Sequence, residues 1–293
     1  MRKVKKIITY IIALILSVLF ISSILIYLLS STILSKDYVL DKLDETNYYE
    51  QVYELVESNF ENYIQQSGLD EDVIENIVTE DKIKEDTKQI LTNLYDGANE
   101  EISTEEIAEQ LNANIEESLE DRDLTSDEEE AIESFVQTIC DEYEDTIIHT
   151  KYEEEINNIY QKIINYKKYA VQVLSITIGI LLVVLIIMNH RAIYRSVKAV
   201  AISLLTNGIL LLITNFYINS NLKIQTITIL NNAFSEVIVN ILTEIMSKIL
   251  TYGWILTVIG VLLIIVSNLT HNLRKYGIEE REENGRNRSN GTN

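Results

Sequence analysis

The stretch IITYIIALILSVLFISSILIYLLSSTIL, at residues 7–34, decides what kind of fold this chain can adopt. It has no charged side chain and would form about 42 Å of α-helix at 1.5 Å per residue. The basic residues Arg2, Lys3, Lys5 and Lys6 precede it. A cleaved signal peptide begins in the same way, but its apolar core is only about 7 to 15 residues long and ends at a small-residue cleavage site. We therefore predict an uncleaved transmembrane helix.

Three further apolar runs are each long enough to cross a bilayer: residues 169–188, 199–217 and 252–269. The region at 224–250 is apolar enough to resemble a fifth span, but it contains Glu236 and Glu244. A carboxylate near the centre of a bilayer costs about 2.5 to 3.5 kcal/mol. We interpret this region as an amphipathic helix that either lies on the membrane or packs beneath the acidic segment described below.

Basic residues indicate the direction of the spans. They precede the first span, lie in the loop at 189–198 between the second and third spans, and follow the fourth span at Arg274 and Lys275. The positive-inside rule assigns all three groups, and therefore both termini, to the cytoplasm. Residues 35–168 and 218–251 are then extracytoplasmic.

Small and polar residues recur four positions apart within three of the predicted spans. The pairs are Ser175 with Gly179, Ser203 with Asn207, and Gly253 with Thr257, and Gly260 follows the last pair. Such residues let transmembrane helices approach one another closely. We expect the four spans to form a compact bundle.

The segment between the first two spans is strongly acidic. Residues 37–166 carry 39 acidic and 7 basic side chains, a net charge of −32, whereas the rest of the chain carries 6 acidic and 17 basic side chains, a net charge of +11. Nucleic acid is excluded as a partner of this segment because phosphate binding requires clusters of Lys and Arg. The single cysteine, Cys140, excludes an intrachain disulfide, so packing alone must hold the segment together.

Apolar residues in the acidic segment recur at spacings of three and four, which is the period of an α-helix. One apolar stripe ends near Gly68, and a second helix is expected between Thr79 as its N-cap and Gly97 as its stop. Ser126 followed by Glu129 fits a capping box for a later helix.

Two further helices complete the prediction for the acidic segment. One begins at Ser103 or Thr104 and contains an apolar stripe that starts at Ile107. The last has a stripe from Tyr152 to Tyr166 that begins after a break near residues 149–150. We expect this last helix to continue directly into the second span.

The sequence favours a protein without catalytic activity. Nucleophilic catalysis requires a base beside the nucleophile, and the only histidines are His149, His190 and His271. Cys140 and His149 are nine residues apart, which places them on opposite sides of a straight helix. Gly-rich phosphate loops, zinc-ligand spacings and the H-E-x-x-H motif do not occur in the sequence, so no cofactor is predicted.

The candidate metal site consists of Asp121, Asp123 and Asp127, which copy the beginning of a calcium-binding loop. The match fails at two positions: Ser126 replaces the Gly of the turn, and Ile132 replaces the bidentate Glu. The simpler interpretation is an acidic loop that caps the following helix. Calcium is thus a weak candidate ligand for these three aspartates.

The order of the segments resembles the permease-like subunits of mechanotransmission ABC transport systems, although the loop at 189–198 is short for a coupling helix. This resemblance implies a transmembrane transmitter or transport-complex subunit moved by a cytoplasmic ATPase. In the layout of its segments the chain is similar to Gram-positive bacterial four-span membrane proteins with an acidic helical extracytoplasmic domain. That resemblance concerns the layout alone and implies no activity.

These observations predict an all-α fold in which four transmembrane helices carry an acidic all-helical extracytoplasmic domain between the first and second spans. The expected function is non-enzymatic binding, sensing or scaffolding at the cell membrane. The expected partners are the lipid bilayer and another envelope or membrane protein. The predicted segments are a cytoplasmic N-terminus at 1–6, spans at 7–34, 169–188, 199–217 and 252–269, outer segments at 35–168 and 218–251, an inner loop at 189–198 and a disordered cytoplasmic tail at 270–293.

Overall fold

A computed structural model describes residues 2–98, 102–119, 124–147, 153–222, 224 and 232–290, and gives side chains for all of these except 2–3, 153–157, 275 and 277–290. The described residues are all-helical and contain no strand, as predicted. The α-helices are α1 (Arg2–Ser30), α2 (Lys36–Glu45), α3 (Tyr48–Ser67), α4 (Glu80–Asp96), α5 (Glu105–Ser118), α6 (Ser126–Ile147), α7 (Glu153–Met188), α8 (Tyr194–Asn221) and α9 (Asn232–Asn290), and a short 3-10 helix spans Glu71–Ile74.

The chain forms two compact units. The apolar unit comprises Met1–Ser30, Lys167–Thr226 and Leu242–Asn293, and the acidic unit comprises Ser31–Tyr166 and Ile227–Ile241. Helices α7 and α9 each contribute residues to both units. Helix α7 is uninterrupted through residue 168, which confirms the predicted continuity with the second span. The predicted break near residues 149–150 lies outside the described residues.

Four helices are long and apolar enough to cross a membrane: Val4–Ser30, Asn158–Met188, Tyr194–Asn221 and Asn232–Arg274. The first of these helices ends at Ser30, whereas the sequence predicted an end at residue 34. Ser and Thr hydroxyls at the end of this run compete with the helix for backbone hydrogen bonds. The next residues form a turn in which the Ser35 amide donates to the Thr32 carbonyl at 2.9 Å.

Helix α8 packs against α1 through polar side chains within the apolar unit. The Ser203 hydroxyl donates to the Ala13 carbonyl at 2.6 Å. Asn207 accepts from the Ser17 hydroxyl at 2.7 Å and donates to the Ser17 carbonyl at 2.8 Å. These contacts satisfy buried polar groups and bring two backbones together, as expected for small and polar residues in a helix bundle.

Helix α9 approaches α8 at glycines. A Cβ atom on Gly208 would lie 2.6 Å from the Thr257 backbone nitrogen, and one on Gly260 would lie 2.8 Å from the Leu205 nitrogen. Close approach at Gly253 and Gly260 was expected from the sequence and is confirmed, whereas Gly208 was not identified. No described atom outside its own helix backbone lies within 4 Å of a Cβ placed on Gly179, so the close approach expected at that position is wrong.

The core of the acidic unit is formed by the apolar stripes of α3, α4, α5 and α6 together with the short 3-10 helix. The predicted stops at Gly68 and Gly97 are confirmed, since both glycines adopt positive φ angles of 79° and 73°. The Thr79 hydroxyl caps α4 by accepting from the Lys82 amide at 3.2 Å. The fully buried members of this core are Val52, Val56, Ile64, Val73, Ile83, Ile107, Leu111, Ile115, Ile139 and Tyr143.

One local prediction in the acidic unit is wrong, and one helix was not predicted. The capping box at the start of α6 is formed by Thr125 and Glu128 rather than by Ser126 and Glu129: the Glu128 carboxylate accepts from the Thr125 amide at 2.9 Å. Helix α2, which no sequence pattern had indicated, begins after Ser35, whose hydroxyl accepts from the Tyr38 amide at 3.5 Å.

The region predicted as a separate amphipathic helix at 218–251 is also different in the structure. Helix α8 extends to Asn221, and α9 begins at Asn232 and continues through the fourth span without a break. Residues 232–241 belong to the acidic unit, where the Gln51 amide donates to the Glu236 carboxylate at 3.0 Å. Residues from Leu242 onward belong to the apolar unit, where Ile249 packs with Leu28 and Leu211.

Helix α9 continues to Asn290, so the structure has a helix where the sequence predicted a disordered tail at 270–293. Adding residues to an existing helix avoids the unfavourable nucleation step. Glu and Arg, which are frequent between residues 279 and 288, are good helix formers.

Candidate binding site in the acidic unit

A cavity of about 490 Å³ lies between α5 and α6 of the acidic unit. Its volume falls within the range of about 300 to 1,000 Å³ that is typical of ligand pockets. Ile115 and Val136 are buried in its floor, and Leu119, Leu124 and Ile132 are half-buried around them. The cavity therefore offers an aliphatic surface at the boundary between core and solvent.

The rim of this cavity is acidic. Glu116 on α5 and Glu129 and Glu133 on α6 line the cavity and are exposed to solvent. The amide side chains of Asn112 and Gln137 complete the described polar lining. Glu129 and Glu133 are four residues apart on one helix, so their charges lie on the same face. The arrangement can pair with cations while it shields an apolar group from water.

A buried hydrogen-bonded carboxylate connects α6 to the rest of the core. The Tyr143 hydroxyl donates to Asp86 on α4 at 2.5 Å, and the Lys82 ammonium group lies 2.9 Å from the other carboxylate oxygen of Asp86. Burial raises the pKa of Tyr143 above its ordinary value, and the bond to Asp86 raises it further. Tyr143 therefore remains a neutral hydrogen-bond donor at physiological pH.

A second polar contact connects α6 to α3. Glu142 accepts hydrogen bonds from the Asn59 amide at 2.8 Å and from the Tyr63 hydroxyl at 2.9 Å. Thr146, one turn further along α6, donates to the same carboxylate at 3.3 Å and accepts from Asn59 at 3.2 Å. Helix α6 is thus attached to α3 and α4 on one side while another side borders the cavity.

The residues singled out from the sequence do not line this cavity. Asp127 is exposed in the first turn of α6, and Asp121 and Asp123 lie outside the described residues. Within the described part of the chain, no group of three or more His, Cys, Asp or Glu side chains could hold a metal ion. Cys140 is buried, and burial raises the pKa of its thiol. His149, considered as its partner, is outside the described residues.

Sequence reasoning missed the rim of the cavity because acidic residues are frequent throughout this segment. The usable signal was the position of Ile132, Glu129 and Glu133 at helical spacing beside a buried stripe. That signal indicates a partly exposed apolar face, but it does not indicate a gap between two helices.

Protein-family models, curated proteins and solved structures were compared with the chain, and none matches it. The class of protein is therefore defined by the fold. Four helices of sufficient length and apolarity are consistent with a multi-pass membrane protein.

Proposed function

We propose that the chain is a multi-pass membrane protein whose acidic unit faces outward and binds a basic amphipathic segment of another envelope or membrane protein. The supporting observation is the cavity between α5 and α6, in which an aliphatic floor is surrounded by three exposed carboxylates. An apolar side chain of the partner packs against the aliphatic floor of the cavity. The partner's Lys or Arg side chains form ion pairs with Glu116, Glu129 and Glu133. Complementary charge of this kind accelerates association and selects among partners.

The charge distribution supports the outward orientation. The acidic segment at 37–166 has a net charge of −32, whereas basic residues lie at the start of α1, between residues 191 and 198, and after the apolar part of α9. The positive-inside rule assigns those basic segments to the cytoplasm. The acidic segment between the first two spans, which forms most of the acidic unit, is then extracytoplasmic.

The chemistry of the cavity supports binding rather than catalysis. The described residues around it are carboxylates, amides and aliphatic side chains. These groups form ion pairs, hydrogen bonds and apolar contacts. The proposed activity is non-covalent recognition and needs no cofactor.

A peptide-binding measurement tests this function. The full chain is placed in neutral phosphatidylcholine nanodiscs, and a fluorescent amphipathic peptide of Lys and Leu is titrated while anisotropy is recorded. Replacing Glu129 and Glu133 by Gln should weaken binding about fivefold or more, since each exposed ion pair contributes up to about 1 kcal/mol. The matched control replaces the exposed Glu50 and Glu54 on α3, which lie outside the cavity, and should change binding less than twofold.

The same measurement can contradict the proposal. If the two double variants lose affinity equally, the peptide is attracted by the overall negative charge and the cavity is not its site. Replacing Ile132 by Ser provides a second check, because it removes apolar surface and leaves the charge unchanged. Retention of full affinity in that variant also contradicts binding in the cavity.

A second candidate function is that of a transmembrane transmitter or transport-complex subunit with permease-like topology, driven by a cytoplasmic ATPase. Helix α7 favours it, since it is one helix from Glu153 to Met188 and contributes to both units. Purification of the crosslinked full chain from cells should then recover an ATPase. Slow amide exchange across residues 158–168 is also required, because a frayed helix could not transmit movement.

A further inference from the structure

A cavity of about 380 Å³ in the apolar unit is lined by four basic side chains. Lys5 and Lys6 come from α1, and Arg195 and Lys198 come from α8. All four are exposed, so their charged groups are available to a ligand. The cavity is therefore a concentrated positive surface between two helices that pack against each other.

No carboxylate within the described part of the chain forms an ion pair with any of these four cations. The sequence explains this, since Asp and Glu do not occur at residues 1–36 or at residues 156–235. Neither α1 nor α8 can therefore neutralise its own basic residues. Four like charges in one cavity repel one another and favour a bound anion.

The wall of the cavity contains neutral polar and apolar groups. The buried Asn189 side chain donates to the Leu185 carbonyl at 3.1 Å and lies 3.5 Å from the Thr9 hydroxyl. Ala199 and Ile202 supply apolar wall, and Ala199 belongs to the same cluster as Leu16 and Leu185. A ligand for this cavity combines negative charge with an apolar part.

Both helices have the length and apolarity of membrane spans, and the four cations lie near one end of each: Lys5 and Lys6 in the first turns of α1, Arg195 and Lys198 in the first turns of α8. Basic clusters at the ends of transmembrane helices lie at the level of lipid headgroups. We propose that this cavity binds the phosphodiester headgroup of an anionic membrane lipid, whose acyl chains extend along the apolar surface of α1 and α8. The inference rests on the membrane assignment above but not on the peptide cavity of the acidic unit.

Native mass spectrometry of the full chain tests this proposal. The detergent-solubilised protein is titrated with phosphatidylglycerol or with phosphatidylcholine, and the bound fraction is measured. Phosphatidylglycerol should bind at least tenfold more tightly. The Arg195→Gln/Lys198→Gln variant should lose most of that preference, because each basic residue near an anionic lipid contributes a several-fold gain in affinity. Lys5→Gln/Lys6→Gln, on the other side of the cavity, should have the same effect.

The control variant is Lys167→Gln/Lys168→Gln, which removes the same charge from the apolar unit outside the cavity. It should retain the preference for phosphatidylglycerol. Equal loss in the control, or equal binding of the two lipids by the unmodified protein, overturns the proposal. Displacement of phosphatidylglycerol by millimolar inorganic phosphate also overturns it, because the cavity would then be a site for free phosphate.

Discussion

The Tyr143 hydroxyl donates a 2.5 Å hydrogen bond to the Asp86 carboxylate, and this contact joins α6 to α4 inside the acidic unit. The side chain of Asp86 is only 2% exposed, so its charge depends on Tyr143 and Lys82 for compensation. A buried carboxylate that loses a partner is strongly destabilising. The position of α6, and with it the rim of the α5–α6 cavity, depends on this contact.

Replacing Tyr143 by Phe should lower the free energy of unfolding of the acidic unit by about 1.5 to 3 kcal/mol, because Asp86 loses a charge-assisted hydrogen bond. Hydrogen exchange of the full chain, measured at amides of α4 and α6, reports this change as faster exchange. The control is Tyr49→Phe, since the buried Tyr49 hydroxyl has no hydrogen-bond partner among the described residues. Similar destabilisation by the two substitutions would show that the Tyr143 hydrogen bond does not contribute to the stability of the acidic unit.

The acidic unit should lose stability as pH rises above about 10. Burial raises the pKa of both Tyr48 and Tyr49 to about 12, and the charge of Asp44 adds to the effect at Tyr49. Unfolded tyrosine ionises near pH 10. Between about pH 10 and 12 the folded protein retains protons that the unfolded chain releases, so stability is complete below pH 10 and decreases through this window.

Denaturant unfolding at several pH values, followed by far-UV circular dichroism, checks this prediction. The decrease should approach about 1.4 kcal/mol per pH unit for each buried tyrosine. Tyr49→Phe should make the decrease less steep. An unchanged slope in that variant would mean that Tyr49 ionises equally easily in the folded and unfolded states.

Replacing Gly208 by Ala should destabilise the apolar unit by about 1 to 3 kcal/mol, because the added methyl group meets the Thr257 and Gly253 backbones of α9. The midpoint of thermal unfolding in detergent, followed by the fluorescence of Trp254, measures the loss. Gly179→Ala is the matched control, since a methyl group there meets no described atom within 4 Å beyond its own helix backbone. Equal midpoints for the two variants would contradict the close packing of α8 and α9.

The helix limits that could be predicted from sequence depend on local chemistry. Gly68 and Gly97 end helices because glycine adopts positive φ without a steric penalty, and Thr79 caps α4 with its own hydroxyl. The start of α6 was misplaced by one residue because Thr125–Glu128 and Ser126–Glu129 have the same spacing and similar chemistry. Local sequence cannot choose between two equivalent capping boxes.

The two cavities could not be predicted because they depend on distances between helices. Ile132 and Ile115 belong to ordinary apolar stripes, and only the separation of α5 from α6 leaves space between them. In the same way, Lys5 and Lys198 are far apart in sequence and meet because α1 packs against α8. Sequence periodicity identifies the buried face of a helix, but it does not specify which face of which helix lies opposite.

Cysteine accessibility in intact cells tests most directly the claim that the acidic unit faces outward and the basic loop inward. In a Cys140→Ala background, one variant places a cysteine at the exposed Glu109 of α5 and another places it at the exposed His190 between α7 and α8. A membrane-impermeant maleimide should label the first variant in intact cells and the second only after the membrane is opened. Labelling of the cysteine at position 190 in intact cells, with protection of the one at position 109, would contradict the account.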